Sequence, residues 1–232
     1  MGGLARSAAH APNGHTTLPC HTADRYWVLA HREDGRRHHI SEPLLRLGLA
    51  AAVVGELVLG ESVNLVGGTV AAPDHRAGTD PVHQRVLADL RAVNARQAPL
   101  PVRVWIEALA SDDRGPRTVA DVLARLAAAG MVTRVRGVLG SRAAPYGPLV
   151  ATAPGNALWR AVQHPGDLVT QPIRLLAGLA AATGLYHGAG PVTDPGAALA
   201  RLRDLSDGLE PDLHTVINAL DTAAATLVAA RI

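Results

Sequence analysis

The chain has 232 residues, enough for one large domain or two small ones. Hydrophobic residues make up 48% of the chain and charged residues 18%, which excludes an intrinsically disordered polymer. Aromatic residues account for only 3% and phenylalanine is absent, so leucine, valine and alanine must build the core. Such a core favours packed helices over a β-sandwich.

The formal net charge of +2 is too small an excess to indicate bulk nucleic-acid binding. The chain contains no lysine, and its excess of Arg, Ala, Gly and Pro indicates a GC-rich genome. The single cysteine, Cys20, cannot form an internal disulfide, which fits a reducing cytoplasm. The longest apolar run, residues 44–60, is shorter than the ~20 residues of a membrane span and contains Arg46 and Glu56. We therefore expect a cytoplasmic protein without a membrane span or export signal.

The first third of the chain predicts an arm, a long helix and a hairpin. Residues 1–23 lack periodicity, which predicts a flexible N-terminal arm and a single domain over 24–232. The apolar run at 26–30 predicts a strand or a short helix. Ser41 and Pro43 then form an N-terminal helix signal before a run that is apolar on nearly all sides, which predicts a central buried helix. The Gly67-Gly68 pair, flanked by β-branched residues, predicts a hairpin.

The rest of the chain predicts mostly helix. Asp80 and Thr118 are expected N-caps, and Gly130 is the expected left-handed C-cap of the helix over 119–129. Residues 131–136 and 138–142 predict a second hairpin that projects from the body, before a helical last third. The predicted fold class is therefore mainly α: a single helical domain around a central buried helix, with short β-hairpins, one of them projecting.

Two groups of polar residues near the N-terminus are candidate binding sites. The first group consists of His10, His15, Cys20 and His21. Imidazole and thiolate groups bind transition metals, but the spacing of these residues along the chain does not match a four-ligand metal site. We therefore expect a solvated arm and no metal. In the second, Arg36, Arg37 and Arg46 surround His38 and His39. This loop is either a solvated turn or an anion-binding rim, because guanidinium groups bind phosphate through two parallel hydrogen bonds.

No motif for enzyme chemistry is present. The sequence lacks a nucleophile elbow, a glycine-rich phosphate loop with lysine, and a metalloprotease helix. Glu56 on the central helix is expected to be a buried acid with a raised pKa, but no partner for it is visible in the sequence. We therefore expect neither an enzyme nor a bound cofactor.

A capped helix followed by an arginine-bearing hairpin is also the pattern of a winged-helix DNA-binding protein. Arg134, Arg136 and Arg142 would then form the wing. The helix before them carries little that could contact base edges. A DNA-binding regulator remains an alternative, as does a protein-interaction adaptor, which would expose a large apolar patch.

A collinear set of landmarks over residues 24–225 resembles the Golgi phosphoprotein 3-like family, which has many bacterial members. The individual motifs are not specific, but their order and spacing are. In chain order they are Tyr26-Trp27-Val28-Leu29-Ala30, Glu33-Asp34-Gly35, Gly48-Leu49, Gly55-Glu56-Leu57-Val58-Leu59, Val63-Asn64-Leu65, Gly78-Thr79-Asp80-Pro81, Val86-Leu87, Trp105-Ile106-Glu107-Ala108-Leu109, and residues 122–132.

The resemblance implies a mainly helical domain and a non-enzymatic peripheral membrane protein. Eukaryotic relatives bind phosphatidylinositol 4-phosphate on Golgi membranes and also bind the tails of glycosyltransferases. They contact the lipid with a Trp and an Arg around the start of the central helix and with two basic residues at the start of the helix before the hairpin. The hairpin is implicated in self-association, which here would involve Val138 and Leu139.

The present sequence departs from the family at the lipid-contacting positions. By spacing, those positions fall on or near Ser41, Ala50, Pro116 and Val119. Arginines nearby in the sequence could instead form a cationic site for an anionic phospholipid headgroup on the inner face of the membrane. They are Arg36, Arg37, Arg46, Arg114 and Arg117.

Overall fold

The structure, a computed structural model, describes residues 21–31, 40–71, 79–137, 140–145, 147–164, 167–187 and 194–230. Within these ranges the chain forms nine α-helices and two antiparallel hairpins, which confirms the predicted, mainly α fold class. The elements are α1 (Thr22–Leu29), α2 (Glu42–Leu59), β1 (Asn64–Val66), β2 (Thr69–Ala71), α3 (Pro81–Asn94), α4 (Val102–Ala110), α5 (Gly115–Ala128), β3 (Val132–Gly137), β4 (Gly140–Pro145), α6 (Gly147–Gln163), α7 (Gln171–Thr183), α8 (Pro195–Asp207) and α9 (Pro211–Ala229).

Helix α2 is the centre of the fold. It starts after Ser41 with Pro43 in its first turn, as the sequence predicts, and every residue from Leu47 to Leu57 is buried. Helices α1, α4, α5, α7 and α9 pack around it. A helix that is apolar on nearly all sides is stable in water only when other elements cover it, and this arrangement covers α2 from Leu47 to Leu57.

Two glycines let helices approach each other closely. A Cβ at Gly48 of α2 would overlap the phenol of Tyr26, which is fully buried on α1. A Cβ at Gly178 of α7 would lie 2.8 Å from a side-chain carbon of Ile217 on α9. The close contacts of α1 with α2 and of α7 with α9 therefore depend on the absence of a side chain at these two positions.

Both predicted hairpins form. Gly67 and Gly68 adopt φ values of +58° and +77° between β1 and β2, a backbone that glycine allows without strain. In the second hairpin β3 pairs with β4 from Val132↔Pro145 to Gly137↔Gly140, and the strands contact α5 and α6. Val138 and Leu139 lie outside the described residues, so self-association through them remains a prediction.

The structure decides one local alternative and revises one local expectation. The segment at 26–30 forms a helix and not a strand, because residues 26–29 are the second half of α1. Helix α5 begins at Gly115, so Thr118 is not its N-cap. Thr118 lies one turn inside the helix, where it is buried and its hydroxyl donates to the carbonyl of Leu109 at 3.3 Å.

None of the described helices combines the length and the hydropathy needed to cross a bilayer.

Candidate functional site

Arg46 connects the start of α2 with the start of α5. Its Nε donates to Glu42 at 3.3 Å, and its Nη1 donates to Asp112 at 2.9 Å. The aliphatic part of Arg46 packs against Gly115, where a Cβ would lie 2.7 Å from the arginine Cδ. The two helix N-termini are therefore adjacent, with Arg46 between them.

Arg114 and Arg117 lie at the start of α5, on either side in the chain of Gly115, the residue against which Arg46 packs. Arg114 precedes the helix, and its Nη1 is 4.0 Å from a carboxylate oxygen of Asp89 on α3. Arg117 is exposed in the first turn and forms no ion pair with the described residues. We call Arg46, Arg114 and Arg117 the arginine surface. Of the predicted lipid-binding residues, Arg36 and Arg37 lie outside the described part of the chain.

A cavity of about 510 Å³ adjoins the arginine surface. It opens between α2, α4 and α9, and its walls combine apolar side chains with a few charged ones. Among them are Pro43, Arg46, Leu47, Glu107, Ala223 and Leu227. Arg46 is the residue that the cavity and the arginine surface share.

A second group of charged residues is buried where α1, α2, α3 and α5 meet. Its centre is Glu56 of α2, which is 8% exposed. Oε1 of Glu56 accepts a hydrogen bond from the backbone N–H of Ala23 at 2.6 Å. Its Oε2 lies 2.7 Å from Nε2 of His83 and 3.5 Å from Nδ1 of His21. Glu56 therefore has several partners that the sequence does not reveal, because they come from distant parts of the chain.

Arg125 of α5 joins three carboxylates of this group. Its Nε donates to Asp24 at 2.9 Å and its Nη1 donates to Asp80 at 3.1 Å. The same Nη1 is 3.8 Å from Oε2 of Glu56. Asp80 is also the N-cap of α3, as predicted, and accepts the backbone N–H of His83 at 2.9 Å. We call His21, Asp24, Glu56, Asp80, His83 and Arg125 the buried ionic cluster.

Burial and the close partners act in opposite directions on the pKa values of this cluster. Burial raises the pKa of Glu56, but hydrogen bonds from His21 and His83 and the charge of Arg125 outweigh it and lower the pKa to about 2. The sequence-based expectation of a raised pKa is thus wrong. For Asp24 the balance is reversed, and burial keeps its pKa above the ordinary value despite Arg125. Glu56 is therefore an anion at neutral pH.

Three side chains of the cluster could together bind a metal ion. Ligand atoms of His21, Glu56 and His83 all lie within 4.8 Å of one another. His21 was a candidate ligand in the sequence, but its described neighbours are Glu56 and His83, two residues that the sequence does not connect with it. The other three members of that sequence group, His10, His15 and Cys20, lie outside the described residues.

The family of the chain follows from a match to a protein-family model. The sequence model of the Golgi phosphoprotein 3 (GPP34) family matches residues 23–223, most of the chain. The chain belongs to the Golgi phosphoprotein 3 family. A comparison with individually curated proteins finds no match. The GPP34 match includes all three residues of the arginine surface and every member of the buried ionic cluster except His21, which precedes it by two residues.

Proposed function

We propose that this GPP34 protein is a non-enzymatic peripheral membrane protein that binds anionic phospholipid headgroups through the arginine surface, on the cytoplasmic face of a membrane. Family membership supports the general role. The proximity of the starts of α2 and α5, with Arg46 packed on Gly115 between them, supports the site. Helix N-termini carry partial positive charge and free N–H groups, and three arginines add full charges there.

The ion pairs that Arg46 and Arg114 form are weak enough for a phosphate group to replace the carboxylates in them. Asp112, which pairs with Arg46, has a fully exposed side chain. Exposed ion pairs contribute only about 0–1 kcal/mol, so a phosphate group can replace Asp112 as the partner of Arg46. Arg114 and Asp89 are 4.0 Å apart and both are partly exposed, so the same argument applies to them. The cavity beside Arg46 offers apolar walls to the part of the lipid next to the headgroup.

The exposed face of α5 does not favour the alternative of DNA binding. Base readout requires several donors and acceptors on one helix face. Here Arg125 points inward to Asp24 and Asp80, and the exposed positions of α5 are mostly alanines. These exposed positions are Pro116, Arg117, Ala120, Ala124, Ala127 and Ala128. The exposed large apolar side chains among the described residues are Val66, Val104, Leu168 and Val228, a smaller set than the large apolar patch of an adaptor surface would need.

Removing two charges from the arginine surface should weaken membrane association. For Arg114→Ala together with Arg117→Ala we expect a loss of about 2 kcal/mol at low salt, or roughly 30-fold in the partition coefficient, since each arginine near an anionic surface contributes about 1 kcal/mol. Co-sedimentation with vesicles that contain phosphatidylserine measures the change. The matched control is Arg201→Ala with Arg203→Ala on α8, which packs against α6 and α7. Equal losses in both double variants would contradict a localised site.

Neutralising Asp112 should have the opposite effect. Asp112→Asn removes the exposed carboxylate that pairs with Arg46, so we expect vesicle binding about fivefold tighter at low salt. The gain should disappear at high salt, because the interaction is electrostatic. Asp204→Asn, an exposed carboxylate paired with Arg201 on α8, is the control and should leave binding unchanged. Unchanged binding of the Asp112→Asn variant would remove Arg46 from the site.

A further inference from the structure

We propose that His21, Glu56 and His83 form a binding site for a divalent transition-metal ion, with zinc as the best match. The three residues come from the residue before α1, from α2 and from α3. A bound ion would therefore link three elements that the family fold places together but that are far apart in the sequence.

The positions of the three ligand atoms fit a metal ion. Zinc lies about 2.0–2.1 Å from nitrogen and carboxylate ligands, so two ligands of a tetrahedral site are about 3.3 Å apart. Nδ1 of His21 is 3.5 Å and Nε2 of His83 is 2.7 Å from the same oxygen, Oε2 of Glu56. Small rotations of the two imidazole rings would place all three atoms around one ion. The ion would replace the proton that an imidazole donates to Oε2.

The groups next to Glu56 and His83 also favour a metal site. Oε1 of Glu56 is fixed by the N–H of Ala23, which leaves Oε2 as the ligand atom. On His83, Nε2 faces Glu56 while Nδ1 is 3.9 Å from a carboxylate oxygen of Asp80. That distance is too long for the hydrogen bond by which a carboxylate orients a metal-binding histidine, so Asp80 contributes its nearby charge to the site.

The charges of the cluster also favour a divalent cation. Asp24, Glu56 and Asp80 carry three negative charges against the single positive charge of Arg125, all of them largely buried. With neutral imidazoles the cluster has a formal charge of −2, which a divalent ion would neutralise. Buried charge is stable only when it is paired or bound to a metal.

Access to the site is through His21. Its side chain is 31% exposed, whereas those of Glu56 and His83 are 6% and 15% exposed. A water molecule can complete the coordination on that side. Two imidazoles and one carboxylate suit zinc and its neighbours such as cobalt, and do not suit calcium or magnesium, which prefer all-oxygen sites.

Metal titration of the full-length, untagged protein tests this proposal. After treatment with a chelator, the protein should bind one equivalent of Co²⁺ with the visible absorption of a low-coordinate nitrogen and oxygen site, and zinc should displace the cobalt. Zinc at about 100 times its Kd should raise Tm by about 5–10 °C. His83→Gln keeps an N–H donor toward Glu56 but loses the imidazole, so we expect a folded protein with roughly tenfold or more weaker binding.

Two controls locate the ion. His214→Ala changes a histidine on α9 that belongs to no such cluster of the described residues, and it should leave the titration unchanged. His10→Ala with His15→Ala and Cys20→Ser removes the other candidate ligands near the N-terminus and should also leave one equivalent bound. Binding that this triple variant abolishes and His83→Gln leaves intact would overturn the proposal. So would a protein that binds no stoichiometric Co²⁺ or zinc.

Discussion

Replacing Arg125 with methionine is expected to lower the free energy of unfolding by about 3–5 kcal/mol, because removal of one partner leaves buried charge without compensation. Asp24 is 1% exposed and depends on Arg125 for its ion pair at 2.8–2.9 Å. Asp80 and Glu56 would lose the same cation. Urea unfolding followed by circular dichroism measures the effect.

A matched substitution separates the buried cluster from an ordinary ion pair. Arg103 on α4 pairs with Glu107, but both side chains are about two-fifths exposed. Arg103→Met should therefore cost less than about 1 kcal/mol. Asp24→Asn should recover part of the stability that Arg125→Met loses, because it removes the buried carboxylate that Arg125 pairs with at 2.8 Å. Similar costs for the two arginines would contradict the account of the cluster.

Gly48→Ala is the second substitution with a large expected effect. The new methyl group would overlap the phenol of Tyr26, which is buried between α1 and α2. Because a packed core relaxes only partially, we expect a loss of about 1–3 kcal/mol or more in the free energy of unfolding. Thermal and urea unfolding both measure it.

A double-mutant cycle tests the stated cause. Tyr26→Leu removes the ring that the methyl group meets, so Gly48→Ala should cost much less in the Tyr26→Leu background than in the wild type. Equal costs in both backgrounds would show that the tyrosine does not limit the space at Gly48.

Most of the helical framework is predictable from local sequence signals. Pro43, Asp80 with Pro81, and Gly130 mark helix ends by their own chemistry, and the structure places helix boundaries beside each of them. Ser41 lies at the N-cap position of α2, but its hydroxyl makes no capping hydrogen bond. The prediction of Thr118 as an N-cap was wrong because its hydroxyl donates to the carbonyl of Leu109 in the preceding helix, inside the core. A residue that suits a cap also suits a buried hydrogen bond, and only tertiary structure distinguishes the two.

The candidate sites were predictable only in part. Arg46, Arg114 and Arg117 could be grouped because the family resemblance brings the starts of two helices together. The buried ionic cluster has no spacing motif, since His21, Glu56, His83 and Arg125 are spread over about a hundred residues. One signal was present: a carboxylate in the middle of an otherwise apolar, buried helix requires a cationic or hydrogen-bonding partner. The sequence does not show which residues supply it, and so the direction of the pKa shift of Glu56 was wrong.

Vesicle co-sedimentation of the wild-type protein tests the proposed function most directly. The vesicles contain increasing fractions of phosphatidylserine, with one series doped with phosphatidylinositol 4-phosphate, and each series is measured at low and at high salt. Binding through the arginine surface should rise with the anionic fraction and fall at high salt, because three exposed or partly exposed arginines interact with the surface through screened charges. An absence of binding to every composition at low salt would contradict the proposal that this GPP34 protein binds membranes.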